Sequence, residues 1–270
     1  MVSIVSLSGN PCLFELGQLM VRPEYRHTNL VNQLTAYLHN TALKLLQYDA
    51  IFAECVTIHK LAQRSCSTSG FSDTALKLNM VSGDIFKLEN KRRQTGRVSC
   101  VVSYLEQRDN SFLVRLPHIY REQISFCFKG LNPREYTAAL DTVPEEDALT
   151  EYHLNEDRIS TARLVTVTLT AIGTDIEQVV QKLEAYAKSN NLTSMLVNIP
   201  LGDPHNGAAA LFFRKQGFFF GGVMPYWLPW CDALLMQKLY DTLPQWDHIK
   251  LFSPKINEIA NMIKTDMEDA

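Results

Sequence analysis

Hydrophobic spacing changes twice in the first part of the chain and predicts a strand, a helix and a second strand. Residues 14–21 (F-E-L-G-Q-L-M-V) are largely apolar and stop just before Pro23, which suits a strand. From Leu30 apolar residues recur at helical spacing and predict a helix to about Gln47. Residues 51–56 (I-F-A-E-C-V) predict a second, buried strand. This order is typical of a βαβ unit with two parallel strands.

The same two spacings recur through the rest of the chain. A helix over residues 60–68 is closed by Gly70, because glycine adopts the left-handed conformation that ends helices. Near the C terminus, Ser253 is the predicted N-cap of a helix that begins at Pro254. The acidic run P-E-E-D at 144–147 predicts an exposed loop. The other predicted elements are strands at 75–80, 98–105, 163–169, 195–199, 218–223 and 233–239, and helices at 118–129, 175–188 and 206–215.

Two segments share a residue spacing that indicates an internal repeat. The first pattern consists of His59, Ala62, Cys66 and Gly70-Phe71, and the second consists of Asn206, Ala209, Phe213 and Gly217-Phe218. Both patterns lie in the same order of predicted strands and helices, so duplication of one unit is the favoured interpretation. We therefore predict a first domain over residues 1–106 and a second over 107–270, which includes a connecting segment, 107–160.

Composition and charge narrow the class of protein. With 46% hydrophobic residues, 20% charged residues and a formal net charge of −3, the chain is ordinary for a globular protein. This charge favours neither nucleic acid nor an anionic membrane as a partner. No apolar run approaches the ~20 residues of a membrane span, and residues 1–10 do not follow a signal-peptide pattern. The six cysteines are dispersed without a C-x-x-C pair, which predicts no metal site and reduced thiols in a cytoplasmic protein.

Three of these stretches together resemble the core of the GNAT superfamily of acyl-CoA-dependent N-acyltransferases. They are V-R-P-E-Y-R at 21–26, A-E-C-V-T at 53–57 and the H-x-x-A-x-x-x-C-x-x-x-G-F pattern that begins at His59. The second half resembles a more degenerate copy, and the whole chain is similar to bacterial tandem acetyltransferase-like regions. The resemblance implies an α/β fold with two GNAT-like halves, each with a mixed, centrally parallel sheet.

The resemblance also implies a cofactor site in the first half. The family's pyrophosphate loop falls on Arg26, His27, Thr28, Asn29, Leu30 and Val31, with Leu19, Met20 and Val21 on the preceding strand and His59 near the pantetheine arm. Backbone N–H groups at a helix N terminus favour an anion, and glycines normally let the phosphates approach. Here Asn29 and Val31 replace the two small residues, and Val31 should crowd the phosphates. An ordinary strand–helix turn that binds nothing is the alternative.

Two residues match the family's positions for proton transfer. Glu15 lies where several members place a general base, and burial would raise its pKa toward that role. Cys66 stands where a tyrosine acid is usual, and a thiol of pKa ~8.5 can donate a proton. Glu54 is an alternative base. The structural interpretations are a glutamate that faces water and a small buried thiol.

The second half departs further from the family pattern. Its counterpart loop, residues 171–177 (A-I-G-T-D-I-E), has no arginine and carries two carboxylates, and Phe213 occupies the acid position. Thr174 or Asp175 would serve as an N-cap, so we predict a structural or regulatory role for this half. In the first half the cofactor strand begins near residue 14, so the elements that usually wall the acceptor site are missing. Either the chain is part of a longer one, or another segment or subunit forms that wall.

Two further stretches have both a structural and a functional interpretation. Residues 87–97 (K-L-E-N-K-R-R-Q-T-G-R) hold five basic residues and suit a solvated loop, an acidic or nucleic-acid partner, or the 3′-phosphate of CoA. Residues 218–230 (F-F-F-G-G-V-M-P-Y-W-L-P-W) suit a core, an acyl pocket or a homodimer contact.

The sequence thus predicts acyl transfer, with acetyl as the expected group, from acetyl-CoA or another acyl-CoA to an amine. The acceptor is an amine-bearing small molecule or protein, and no metal is required. The competing hypothesis is a non-catalytic acetyltransferase-like module that acts through protein contacts.

Overall fold

Ten strands form one mixed β-sheet in the computed structural model, which describes residues 3–7, 9–17, 21–25, 28, 30–38, 47–86, 96–109 and 112–270. The strands are β1 (Ser3–Leu7), β2 (Asn10–Gly17), β3 (Ala50–Val56), β4 (Ser72–Ser82), β5 (Arg97–Glu106), β6 (Leu113–Leu116), β7 (Glu135–Ala138), β8 (Glu151–Asn155), β9 (Leu164–Ala171), β10 (Ser194–Pro200), β11 (Phe219–Leu228) and β12 (Cys231–Leu239). The helices are α1 (Leu30–Tyr37), α2 (Leu61–Thr68), α3 (Arg121–Cys127), α4 (Ile159–Ala162), α5 (Ile176–Ser189), α6 (Asn206–Lys215) and α7 (Pro254–Glu268). The predicted α/β class is confirmed.

Strand order and direction repeat between the two ends of this sheet. The order is β1-β2-β3-β5-β4-β11-β12-β10-β9-β8, and β6 pairs with β7 in a separate two-stranded sheet. The pairs β2–β3 and β9–β10 are parallel, and the other neighbours in the large sheet are antiparallel. Counted inward from each edge, the five strands of one half therefore match those of the other in direction and connection. The two halves meet where β4 lies beside β11.

A glycine allows the two half-sheets to meet. Gly222 of β11 is the residue in register with Ala75 of β4. Its φ is +126°, and a Cβ at this position would lie 2.4 Å from the Ala75 Cα and from the Thr74 carbonyl oxygen. Any side chain would therefore collide with backbone and push β4 away from β11.

The buried carboxamide of Gln237 completes the junction. Its side chain extends from β12, donates to the Leu76 carbonyl at 3.0 Å and accepts from the Leu78 N–H at 2.9 Å. Gln237 is 0% exposed, so these bonds satisfy groups of β4 that water does not reach. β4 and β11 share one register pair. The Gln237 side chain therefore makes hydrogen bonds to the β4 backbone that a paired strand would otherwise make.

The sheet has a helical face and a second face. Cys66, Ile124, Ile176, Phe213 and Ile256 pack from α2, α3, α5, α6 and α7 into the core on the helical face. Alternate strand residues point the other way, and the core on the second face includes Leu13, Phe52, Ala75, Val102, Leu235 and, from α4, Ala162. Glu15, Glu54 and Lys77 follow Leu13, Phe52 and Ala75 by two residues. Side chains two residues apart on a strand point the same way, so these three lie on the second face.

A buried ionic triad attaches the connecting segment to both halves. Arg134 Nε lies 2.7 Å from Asp232 Oδ2 at the start of β12, and Arg134 Nη2 lies 2.5 Å from Glu106 Oε1 at the end of β5. The guanidinium also packs against the Phe128 and Tyr226 rings. Burial lowers the pKa of Arg134 and the two carboxylates raise it, with a net rise, so the guanidinium stays charged.

Most predicted elements are present, with shifted ends. The strand predicted over residues 14–21 is β2, Asn10–Gly17, and the helix predicted from Leu30 to Gln47 is described only as α1, since 39–46 lie outside the described residues. Residues 118–129 begin with a 3₁₀ turn, His118–Tyr120, before α3. Four strands were not predicted: β1, β6, β7 and β8.

Two predicted helix ends and the predicted acidic loop are confirmed. Gly70 has a φ of +88° just after α2, and the Ser253 side chain accepts from the Ile256 N–H at the start of α7. The acidic residues of 144–147 are exposed. Most of the basic loop, 87–95, lies outside the described residues. In the part of the chain that is described, no helix combines the length and the apolar character needed to cross a membrane.

The junction between β4 and β11 predicts a specific loss of stability. Gln237→Met keeps the approximate volume but leaves the Leu78 N–H and the Leu76 carbonyl without their partner. Each unpaired buried group costs ~1–3 kcal/mol, so we expect the free energy of unfolding to fall by about 2–4 kcal/mol in urea denaturation. The control is Gln181→Met on the exposed side of α5, which should change it by less than ~0.5 kcal/mol. Equal effects of the two changes would contradict this role for Gln237.

Candidate functional site

The parallel strands of the first half stop pairing at Glu15. The β2–β3 register runs from Leu13 opposite Ala50 to Glu15 opposite Phe52, although β2 continues to Gly17 and β3 to Val56. In the second half, the β9–β10 register ends at Thr168 opposite Asn198, before either strand ends. Each half therefore has a pair of parallel strands that separate toward their carboxyl ends. That edge of an α/β sheet is where ligands generally bind.

Glu15 is half-buried at this point, on the second face. Its Oε1 atom lies beside Gly17, where a Cβ would be 3.6 Å away. Burial raises the pKa of Glu15, and nearby Glu54 raises it further, while Arg158 and Lys77 act in the opposite direction. The net effect is a glutamate that holds its proton at a higher pH than usual.

Glu54 lies in the same cluster but is held ionised. Lys77 Nζ is 2.5 Å from its Oε1, and Arg158 Nη2 is 3.4 Å from its Oε2. Burial alone would raise the pKa of Glu54, but the ammonium and the guanidinium outweigh it and lower that pKa below its usual range. Two neighbouring carboxyls whose pKa values are moved apart are typical of acid–base sites. We call Glu15, Glu54, Lys77 and Arg158 the carboxylate cluster.

Residues of the second half border this cluster. The Lys77 ammonium lies 5.4 Å from the centre of the Trp227 ring, and that ring packs edge-on against Phe52. The Trp227 indole N–H donates to Thr168 Oγ1 at 3.0 Å. The cluster is therefore built across the junction of the two halves.

The described part of the predicted cofactor loop begins α1. Thr28 Oγ1 donates to the Tyr25 carbonyl at 2.7 Å and accepts from the Leu30 N–H at 3.4 Å. His59 is exposed between β3 and α2, and Val21 is half-buried. Among the other predicted cofactor residues, Leu19, Met20, Arg26, His27, Asn29 and the Val31 side chain lie outside the described residues. Helix α1 follows the carboxyl end of β2, so its first N–H groups offer the donor chemistry that a pyrophosphate needs.

Cys66 lies on the helical face. Its Sγ is 3.5 Å from Cys55 Sγ, and only 8% of the residue is exposed. Because neighbouring strand residues face opposite ways, Cys55 points away from the face on which Glu54 lies. The structure therefore does not bring Cys66 together with Glu15, and its role as an acid stays a prediction.

The counterpart turn in the second half is filled by its own chain. The Ile172 N–H donates to Asp203 Oδ2 at 3.1 Å, the Gly173 N–H to Thr150 Oγ1 at 2.9 Å, and the Thr174 N–H to the Ala148 carbonyl at 2.9 Å. A Cβ at Gly173 would lie 2.2 Å from the Ala148 oxygen. The donors are used and the space is occupied, so this turn does not fit a pyrophosphate.

Asp175 and Phe213 have structural partners. Asp175 stands at the N-cap position of α5, but its carboxylate accepts from the Thr150 N–H at 2.7 Å instead of capping the helix. Phe213 is buried and packs edge-on against Phe218.

A cavity of about 370 Å³ lies away from the carboxylate cluster. It is lined by Cys12, Gln47, Tyr48, Asp49, Gln107 and Arg108. Cys12 and Asp49 lie at the amino ends of β2 and β3, opposite the ends where those strands separate. The residues described include no group of three or more His, Cys, Asp or Glu side chains placed to hold a metal ion.

Sequence reasoning did not single out Lys77, Arg158 or Thr168 for a role in the site, and it included Trp227 only within residues 218–230, for which an acyl pocket was one interpretation. Lys77 had a local signal, because it is a lysine inside a predicted apolar strand, and buried lysines are usually paired. Arg158 had no such signal, since its partner Glu54 is 104 residues away.

Comparison with known proteins gives weak structural similarities. No protein-family model and no curated protein sequence matches the chain. A protein assigned to the GNAT family of acetyltransferases from Desulfovibrio desulfuricans is 18% identical with a TM-score of 0.29, and the match covers 39% of this chain and 58% of that one. An agmatine N-acetyltransferase in its apo form is 17% identical with a TM-score of 0.26, over 35% of this chain and 45% of that one. YncA of Salmonella typhimurium, solved with acetyl-CoA, is 18% identical with a TM-score of 0.27, over 37% and 64%.

This chain thus spans less than two thirds of the length of each of these three proteins. TM-scores below 0.3 do not establish a shared fold.

The buried pair of Glu54 and Lys77 predicts a pH-dependent contribution to stability. Glu54→Gln leaves the Lys77 ammonium, 5% exposed, without its anion, and should lower the free energy of unfolding at pH 7 by about 3–5 kcal/mol. Because the folded-state pKa of Glu54 is lowered, its contribution is complete above the unfolded pKa of ~4.3 and is lost as the pH falls through the folded value. The difference between wild type and variant should therefore shrink in acid.

The matched control removes a carboxylate from a more exposed ion pair. Asp241 pairs with Arg163 at 2.8 Å with both side chains well exposed, so Asp241→Asn should cost less than ~1 kcal/mol. Urea denaturation at pH 7 and pH 3.5 measures both variants. A Glu54→Gln effect as small as that of Asp241→Asn would disprove the importance of the buried pair.

Proposed function

We propose that the first half of the chain is an acyl-CoA-dependent N-acyltransferase site, with acetyl as the expected acyl group and an amine as the acceptor. The observation that carries the proposal is Glu15. It is a half-buried carboxyl of raised pKa, located where two parallel strands separate and next to a carboxylate that is held ionised. The motifs that resemble the GNAT core, at 21–26, 53–57 and from His59, support it.

Glu15 would act as the general base. An amine that is protonated at neutral pH must lose a proton before its nitrogen can attack the thioester carbonyl. The raised pKa makes Glu15 a stronger base than an ordinary glutamate, and it would accept that proton. The nitrogen–carbon bond then forms, the carbon–sulfur bond breaks, and the CoA thiolate leaves and takes up the second proton, which the nitrogen releases as it becomes an amide.

The acyl-CoA would lie along the end of β2 and the start of α1. The proposed contacts are residues 19–21 on the strand side, residues 26–31 around the pyrophosphate and His59 near the pantetheine arm. CoA supplies the activated thioester, and the chain supplies anion binding at the α1 N terminus, orientation and the base.

We further propose that the chain consists of two GNAT-like units, 1–106 and 107–270, of which the second is structural. Two features support this division. The strand order and directions repeat about the β4–β11 junction. The N–H groups of the second-half turn donate hydrogen bonds to residues 148–150 and to Asp203.

A non-catalytic module is the second candidate. Val31 stands where the family has a small residue and would crowd the phosphates, which favours a chain that binds acyl-CoA weakly or not at all. The two candidates differ in whether acetyl-CoA binds and whether Glu15 then matters to turnover.

Titration calorimetry with acetyl-CoA tests the binding step. We expect micromolar binding by the wild type and at least tenfold weaker binding by Arg26→Ala, because the variant loses the cation next to the pyrophosphate. Arg64→Met, which removes an exposed cation from α2, should bind like the wild type. No heat and no thermal shift at millimolar acetyl-CoA would reject the acyltransferase in favour of the non-catalytic module.

Turnover tests the role of Glu15. Glu15→Gln should bind acetyl-CoA normally but transfer the acyl group to an amine about 10²–10⁴-fold more slowly, since general base catalysis contributes that much. The wild-type rate should rise with pH as Glu15 loses its proton, with a midpoint above the ~4.3 of an ordinary glutamate. A variant with an unchanged rate and pH profile would exclude Glu15 as the base.

A further inference from the structure

We propose that the second half completes the first-half site through Arg158, a positioning residue that holds the Glu54 carboxylate in place on the face that carries Glu15. The inference rests on the proposed function, because it concerns the same site. It assigns the degenerate half a role in the reaction of the other half, although its own turn does not fit a pyrophosphate.

The backbone around Arg158 is anchored on the second face of the first half. Arg158 immediately precedes α4, and its carbonyl accepts from the Ala162 N–H at 2.9 Å. The Ala162 carbonyl accepts from Arg97 Nη2 at 2.7 Å, and Arg97 Nε donates to the Asn79 carbonyl at 2.8 Å. Arg97 and Asn79 belong to the first half, so a side chain of β5 ties α4 to β4.

This attachment covers part of the second face of the first half. Residues 158–162 lie against β4 next to Lys77, and Ala162 is 3% exposed in the core of the second face. A segment of the second half thus lies on the same face as Glu15, Glu54 and Lys77.

Arg158 and Lys77 each pair with a different oxygen of the Glu54 carboxylate. Lys77 bonds Oε1 from inside the sheet and is 5% exposed, whereas Arg158 approaches Oε2 from the solvent side and is 41% exposed. Each oxygen therefore has one cation, which fixes the orientation of the Glu54 carboxylate. The two cations come from different halves of the chain.

Four titratable groups act on Glu15 or are acted on by it. Glu54 on β3 raises its pKa, while Lys77 on β4 and Arg158 lower it. Cys100 on β5 is a buried thiol whose pKa is raised to about 12 by burial, so it is uncharged at neutral pH. Loss of Arg158 would leave Glu54 less fully compensated and would remove a cation from Glu15. Both changes favour the protonated, inactive form of the base.

The test is a titration of the Glu15 carboxyl by ¹³C NMR in the protein without ligand. In Arg158→Met the titration midpoint of Glu15 should move to higher pH than in the wild type, and Arg158→Lys should restore it because the charge is kept. Arg64→Met, on the other face of the sheet, should leave it in place. If Arg158→Met does not fold, Arg158→Gln removes the charge, keeps a hydrogen-bond donor toward Glu54 and gives the same readout.

A second readout follows turnover. The acid limb of the pH–rate profile should move to higher pH in Arg158→Met and return in Arg158→Lys, while the acetyl-CoA dissociation constant stays within twofold of the wild type. An unchanged or lowered Glu15 midpoint in Arg158→Met would overturn the proposal. The NMR titration requires neither acetyl-CoA nor an acceptor, so a chain that binds no acyl-CoA would refute the proposed function without affecting this test.

Discussion

The backbone contact between Gly222 and Ala75, completed by the Gln237 carboxamide, is the constraint on which the rest of the molecule depends. It joins two five-stranded half-sheets at a place where one register pair is available, and a glycine without a Cβ makes that contact sterically feasible. The carboxamide then bonds a carbonyl and an N–H of β4 that would otherwise be buried without partners. Because the halves are fixed at this line, Trp227, whose indole N–H donates to Thr168, lies against Lys77 of the other half.

The buried triad strengthens the same arrangement at a second place. Arg134 bonds Glu106 at the end of β5 and Asp232 at the start of β12, so the connecting segment is tied to both halves by charges that cannot separate without a large desolvation cost. The connecting segment that carries Arg134 and Arg158 is therefore attached to both halves.

The two halves show how one framework supports different chemistry. In each, a parallel strand pair separates before its strands end. In the second half the turn that follows is closed by residues 148–150 and Asp203, so its donors serve stability. In the first half the separation places Glu15 between water and a buried ion pair, where its pKa rises. The strand order is the same in both halves. The halves differ in which groups bond the backbone N–H groups of the turn and in which groups neutralise the buried charges.

The sequence by itself determined the elements whose signals are local. Hydrophobic spacing identified β3, α2, β9, α5, β10 and α6. Gly70 marked the end of α2, Ser253 and Pro254 marked the start of α7, and the Gly-Phe repeat indicated two similar halves. Sequence reasoning missed β1, β6, β7 and β8, which are four or five residues long and leave little periodic pattern. Only the tertiary structure decided that the halves share one sheet, that Cys66 faces away from Glu15 and that Arg158 meets Glu54 across 104 residues. The physical reason is that spacing along the chain reports which side of an element is buried, whereas contacts between distant residues depend on how the elements pack.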